Sequence, residues 1–394
     1  MRAGASLLVA CIAGFAPLAC LELSDVKEAS NAGGGGFVGS GGSAGSAAGA
    51  GGGAPDGSAP AIRVLSGTAS IAAAELGTSA SLDPVKADNA VLFFTSVHLE
   101  PNPGQALVRG VLSADGSSLG FQRAATGGSV SIAWYVLEHP EFRVQRGDLA
   151  LGGTTQEIAI ADVDLARAFA LASFSAEGSD FNRNDFVRIG LPSASKAAVS
   201  VSASNPNLQL AWQVVEVDTQ SNVFGGQLTL GQGDAAKEAV LPSPFDMARS
   251  FLVHSWTADG LAAASSAASA LSVKGRFKSP TAVELTRGQT GATLNVDFFA
   301  VRLGGANVSA RNVTLQSGAS SGSFPVAAFD PKRTFPVVSR LGARGNAVAP
   351  SWPGVDSYIF KASLNPNNDG GASLDVLRGD SATDFDSEIY VVAF

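Results

Sequence analysis

The sequence predicts an all-β protein, a tandem array of about four antiparallel β-sandwich repeats behind a disordered tether. Three observations carry that prediction. One strand pattern occurs four times: Ser129–Glu138 (SVSIAWYVLE), Asn207–Val217 (NLQLAWQVVEV), Thr293–Arg302 (TLNVDFFAVR) and Asp384–Ala393 (DFDSEIYVVA). Apolar residues fall largely on alternate positions around a bulky anchor, Trp134, Trp212, Phe298 or Ile389, as expected of a half-buried strand. A motif, Asp-x-x-Arg-x-Phe-x-x-x-Ser, recurs at identical spacing in Asp164–Ser173, Asp246–Ser255 and Asp330–Ser339, with Asp83–Ser96 as a looser copy carrying an insertion. Finally, an Arg stands eleven residues before the anchor in three copies, Arg123, Arg287 and Arg378, where the second copy has Val201.

The repeats begin after a leader and a low-complexity stretch. Met1-Arg2 is a minimal positive region, and Ala5–Leu18 is apolar but too short to span a bilayer stably. The segment ends in Pro17-Leu18-Ala19-Cys20, which resembles a bacterial lipobox, in which the Cys is lipidated and becomes the mature N-terminus. Pro17 departs from the Leu of that pattern. Leu8-Val9-Ala10-Cys11 matches by residue type but leaves too short an apolar region, and ordinary cleavage near Ala19 is the alternative. Asn31–Gly57 is almost entirely Gly, Ser and Ala and cannot build a core, so it reads as a tether with a reach of roughly 25–30 Å. A lipidated Cys followed by such a tether is similar to myxobacterial surface lipoproteins. With Leu21 rather than Asp after Cys20, the resemblance implies an outer-membrane address, on either face.

The organisation expected is therefore a signal peptide at 1–20, a tether at 21–59, and β repeats at 60–139, 140–218, 219–304 and 305–394. In the third repeat six strands are read: Gln227–Leu230, Glu238–Leu241, Ser250–Thr257, Leu271–Phe277, Ala282–Thr286 and Thr293–Leu303. Clusters of Gly, Pro, Asp and Ser separate them, as hairpin loops require. The Ala/Ser run Gly260–Ala270 reads equally as a long loop or a short helix. Six-stranded repeats closed by an aromatic strand resemble H-type lectin domains in outline. No sugar-binding motif of that family matches residue by residue, and none is carried over.

Candidate sites follow from what recurs. Asp164 with Arg167, Asp246 with Arg249 and Asp330 with Arg333 would present an acid and a base once per repeat to a ligand. The plainer reading is an Asp-initiated turn, a surface ion pair and a Phe opening a buried strand. Arg123, Arg287 and Arg378 could bind a carboxylate or phosphate, or else snorkel over a sheet edge. Asn365, Asn367 and Asp369 alternate oxygen side chains as calcium loops do, but position twelve is Val376 instead of the bidentate Glu of an EF-hand. Asp180–Asp185 is a similar Asn/Asp-rich stretch, and a plain turn is the alternative for both. Arg-Gly-Asp occurs at Arg146–Asp148 and Arg378–Asp380, where it reads as turn sequence rather than as an integrin-type ligand.

Catalysis has no constellation. His98, His139 and His254 show no metal-ligand spacing, no Cys follows Cys20, and the Gly-x-Ser-x-Gly at Gly41–Gly45 lies in the tether. A net charge of −8 with 15% charged residues disfavours nucleic acid and anionic lipid surfaces as partners. The expectation is a non-catalytic, lipid-anchored envelope protein, needing no cofactor unless calcium, that binds a surface glycan or envelope protein. A lectin-like array is the alternative, and a secreted hydrolase the third. Cys20→Ala should move the protein from the membrane to the soluble fraction on cell fractionation, and full membrane retention would refute the anchor.

Overall fold

The computed structural model describes residues 62–98, 102–178, 184–259, 270–344, 360–366, 371–379, 381 and 384–394. Six strands recur four times in it. The first set is β1 (Arg63–Ile71), β2 (Gly77–Ser81), β3 (Ala90–His98), β4 (Arg109–Leu112), β5 (Ser118–Gln122) and β6 (Val130–Glu138). The second is β7 (Arg143–Ala150), β8 (Thr155–Ala159), β9 (Ala168–Ser175), β10 (Arg188–Ser193), β11 (Lys196–Ser200) and β12 (Gln209–Glu216). The third is β13 (Asn222–Leu230), β14 (Ala236–Val240), β15 (Ser250–Asp259), β16 (Lys274–Ser279), β17 (Ala282–Thr286) and β18 (Thr293–Arg302). The fourth is β19 (Asn307–Leu315), β20 (Ser321–Val326), β21 (Thr334–Arg344), β22 (Phe360–Pro366), β23 (Ala372–Arg378) and β24 (Asp384–Ala393). The six strands read in the third repeat reappear, Ala282–Thr286 with the same ends and the others with shifted ends; of the Ala/Ser run, residues 260–269 lie outside the described residues. Among the described residues no helix is long and apolar enough to cross a membrane.

Each repeat is an antiparallel sandwich of two three-stranded sheets. The larger joins the first, sixth and third strands with the sixth in the middle, as in β1-β6-β3, and the smaller joins the second, fifth and fourth, as in β2-β5-β4. The strand pattern that recurs in the sequence is therefore the central strand of each larger sheet. One expectation about it is corrected: these strands are buried on both faces, with β24 buried at eight consecutive positions. A half-buried strand alternates because its outer face meets water, whereas here the outer face meets neighbouring repeats.

The anchors fill the sandwich interior, and the opposing strand accommodates them. Trp134 lies across Gly67, Trp212 across Gly147 and Phe298 across Gly226. A Cβ on those glycines would come within 2.5, 2.8 and 2.4 Å of the ring. Ile389, which has no ring, faces Arg311 instead. Aromatic anchor and cross-strand Gly are thus one packing unit.

The repeats close into a ring. In each, a hydroxyl on the third strand bonds both backbone groups of one residue on the fourth strand of the preceding repeat. Ser173 accepts from the Gly110 N–H at 3.0 Å and donates to its carbonyl at 3.3 Å. Ser255 does the same to Ile189 at 2.9 and 3.2 Å, and Ser339 to Gly275 at 3.0 and 2.6 Å. Thr95 does it to Ala362 at 2.9 and 3.2 Å, which joins the first repeat to the last. Tyr135, accepting from the Leu364 N–H at 2.9 Å, and a Phe93–Phe335 stack at 5.1 Å complete that junction. Thr95 also corrects the reading of the first repeat. Its motif copy is Lys86–Thr95 at unchanged spacing, with the same backbone turn (Asn89 N–H to Lys86 O), so no insertion is needed.

Phe298→Ala should cost about 3–5 kcal/mol and Gly226→Ala about 1–3 kcal/mol in denaturant unfolding, the first from a cavity and the second from overpacking. Ser339→Ala should cost about 1–3 kcal/mol because Gly275 then buries two unpaired backbone groups.

Candidate functional site

The repeated Arg that precedes each anchor is internal. Arg123, Arg287 and Arg378 are buried and point at backbone carbonyls of their own repeat, not over a sheet edge. Arg123 donates to Glu75 O at 2.9 Å, Ala72 O at 2.8 Å and Gly128 O at 2.6 Å, tying the turn after β1 to the loop before β6. Arg287 holds Asp234 O at 2.6 Å, with Ala292 O and Gly231 O. Arg378 holds Ala319 O at 2.7 Å and Gln316 O at 3.0 Å and lies over the Phe385 ring. Burial lowers the Arg123 and Arg287 guanidinium groups from the ordinary arginine value, and the surrounding carbonyls keep them solvated. In the second repeat the apolar Val201 is buried at this place. These arginines are pins of the frame.

The other repeated pairs sit at turns. Asp164, Asp246 and Asp330 each accept from the N–H two residues on, at 3.0, 3.1 and 2.9 Å. Arg167 and Arg249 pair with their Asp at 3.0 and 3.5 Å, and Arg333 is exposed. The Phe that follows each, Phe169, Phe251 or Phe335, is buried.

The first Arg-Gly-Asp is strand, not turn. Gly147 underlies Trp212, Arg146 donates to Ala87 O and Ala90 O at 2.6 Å, and Asp148 pairs with Arg109 at 3.0 Å. The second runs past Arg378 to Asp380, which lies outside the described residues. Asn365 donates its amide to Asp375, while Asn367 and Asp369 lie outside the described residues, as do Asp180–Arg183.

What the repeats form together is a cavity of about 240 Å³ on the ring's inner side. The third strands of all four repeats line it, and the residue after each clipping hydroxyl contributes in turn: Ser96, Phe174, Trp256 and Arg340. Phe186 lies 6.0 Å from Trp256 across one wall. Most polar lining groups are engaged. Gln213 exchanges two hydrogen bonds with the Leu92 backbone, both at 2.9 Å, and Trp256 donates to Leu271 O at 2.6 Å. His254 bonds Val273 O at 3.2 Å, and burial pushes its imidazole down to about 4, so it stays neutral at physiological pH. Asp185 and Ser272 have partners of their own. Arg340 differs. It lines the cavity with an exposed side chain, and it makes no hydrogen bond or ion pair with any described residue.

A second concavity of about 650 Å³ lies where the last repeat meets the first. That seam also departs from the other three. The residue before each clipped backbone position is basic: Arg109, Arg188, Lys274 and Lys361. Arg109 pairs with Asp148 at 3.0 Å, Arg188 with Asp297 at 3.4 Å and Lys274 with Asp386 at 2.7 Å, whereas Lys361 reaches, among the described residues, the Ser131 hydroxyl at 3.0 Å. The groove beside it is lined by Thr68, Ser323, Ser363, Asn365 and Asp375.

No protein-family model and no curated protein matches this chain. The geometry itself sorts the residues. Sequence reading picks out the repeated Arg and Asp, which build the frame, and misses Arg340 and Gln213, which do not repeat, and Lys361, whose basic character does. The available signal was the position after the motif Ser, where the repeats diverge. Arg287→Met should cost about 2–4 kcal/mol, since several buried carbonyls lose a charged donor, and Arg249→Ala about 1 kcal/mol or less. Equal losses in chemical denaturation would overturn this division of roles.

Proposed function

We propose that the protein is a non-catalytic binding protein of the cell envelope, anchored through Cys20 and carried on its Gly/Ser/Ala tether, with a structural or adhesive role. One observation supports binding at the ring's centre above all: four divergent residues at one repeat position, Ser96, Phe174, Trp256 and Arg340, meet in one cavity. Packing alone would favour similar residues at equivalent positions of a pseudo-symmetric ring, whereas a ligand lacking that symmetry is matched by different ones. A shared cavity also alters how valency works. The four copies form one site, so removing a repeat removes the site, and binding does not decline copy by copy as it would for independent modules.

The second reading, a lectin-like role, is supported by the seam groove, whose hydroxyls, amide, carboxylate and ammonium match the donors and acceptors of a glycan. Purified full-length protein is expected to show no turnover on ester, glycan or peptide panels. Deleting 305–394 should abolish ligand binding in one step. Robust turnover lost on a single Asp or Glu substitution would overturn the non-catalytic reading, and a stepwise, partial loss on repeat deletion would overturn the shared site. Glycan-array binding lost in Asp375→Ala but kept in Arg340→Met would move the site to the seam.

A further inference from the structure

We infer that the central cavity binds a small organic anion, a monocarboxylate with a compact apolar or aromatic body, through Arg340. This rests on the reading of the cavity as the binding site and names what enters it. Guanidinium stays protonated at any physiological pH, and Arg340 presents its charge to the cavity with no counter-charge among the described residues. Two basic groups at neighbouring seams are compensated, Arg188 by Asp297 and Lys274 by Asp386. Arg340 is not, because Asp185, the one carboxylate among the described lining residues, has its own partner and does not pair with it. An entering carboxylate would take the guanidinium fork with two parallel charge-assisted hydrogen bonds.

The rest of the lining narrows the class. Phe93, Phe94, Phe186 and Trp256 offer apolar and aromatic surface, which a strongly hydrated inorganic anion cannot use. A volume of about 240 Å³ exceeds the ~150 Å³ of an engineered cavity that admits benzene, and falls below the roughly 300–1,000 Å³ of sites for larger ligands. An oligosaccharide does not fit. Neutral His254, next to the cation, adds no second positive charge that would select a dianion.

The test uses full-length protein in mild detergent with benzoate and hexanoate as probes, and benzyl alcohol and inorganic phosphate as controls. Calorimetry and thermal shift should show benzoate binding at least about tenfold more tightly than benzyl alcohol or phosphate. Arg340→Met should lose that preference while melting at or above the parent temperature, since an uncompensated charge has been removed. Because the variant could misfold, the unmutated chain supplies a second measurement: phenylglyoxal labelling of Arg340, read by peptide mass spectrometry, should be slowed by benzoate and not by benzyl alcohol. Benzoate affinity undiminished in Arg340→Met, or labelling unprotected, overturns the proposal. Benzyl alcohol binding as well as benzoate overturns the anion class but leaves the cavity as a binding site. No binding by any probe overturns both.

Discussion

Every larger sheet in this protein has two apolar faces, and the architecture follows from the need to cover the second one. The first face packs on the smaller sheet of its own repeat. The second cannot meet water, since β24 alone would expose Tyr390 and Val392 on it. A linear array would leave such a face open at each end, which is why solenoids need capping repeats. Closing four repeats head to tail removes both ends. One extended core accordingly runs through several repeats, holding Phe169, Phe251 and Phe335 together with Tyr135 and Tyr390.

Closure also requires directional contacts, because apolar burial alone does not fix register. The clipping hydroxyls supply them. Each satisfies both the N–H and the C=O of one strand residue, groups that an edge strand would otherwise offer to a foreign chain. The bond is geometric more than chemical, so Thr95 replaces Ser without loss. Its partner Ala362 is 267 residues away in sequence. The entropic cost of such a closure grows only with the logarithm of loop length, and in the folded ring the intervening repeats hold the ends near one another.

Much of this was legible in the sequence, and the limit has a physical basis. Strand number and the Asp-initiated turns are set by local alternation and turn chemistry, which sequence reports directly; the central position of the anchor strand is not. The arginines before the anchors repeat plainly, yet their role was misread. Whether a long cationic side chain snorkels or turns inward depends on which carbonyls lie nearby in space. The looser first copy of the motif was missed in its true register, since Lys86, Asn89 and Val91 keep the turn and the burial but not the residue types. Ring closure has no local signature at all. The Gly–aromatic pairs came closest: Gly67 with Trp134, Gly147 with Trp212 and Gly226 with Phe298 are cross-strand partners whose covariation within one chain implies contact.

Repetition and function therefore divide the residues between them. A position that must serve the same geometry keeps its chemistry, as the clipping hydroxyls do in all four repeats and the inward arginines in three. A position that meets something without fourfold symmetry is free to diverge. The four seams show the same division in their ion pairs. Three seat a buried or half-buried cation on a carboxylate, where breaking the pair would leave an uncompensated charge and so opposes sliding of one repeat past the next. At the fourth, Ser131 stands in β6 where Asp386 stands in β24, both three residues before the anchor, and Lys361 has a hydroxyl for a partner. A hydroxyl holds an ammonium less strongly than a carboxylate does. The junction formed last in sequence, between the first and fourth repeats, is thus the one whose polar register is held most weakly, and its cohesion falls chiefly to the Thr95 clip, the Tyr135 hydrogen bond and the Phe93–Phe335 stack.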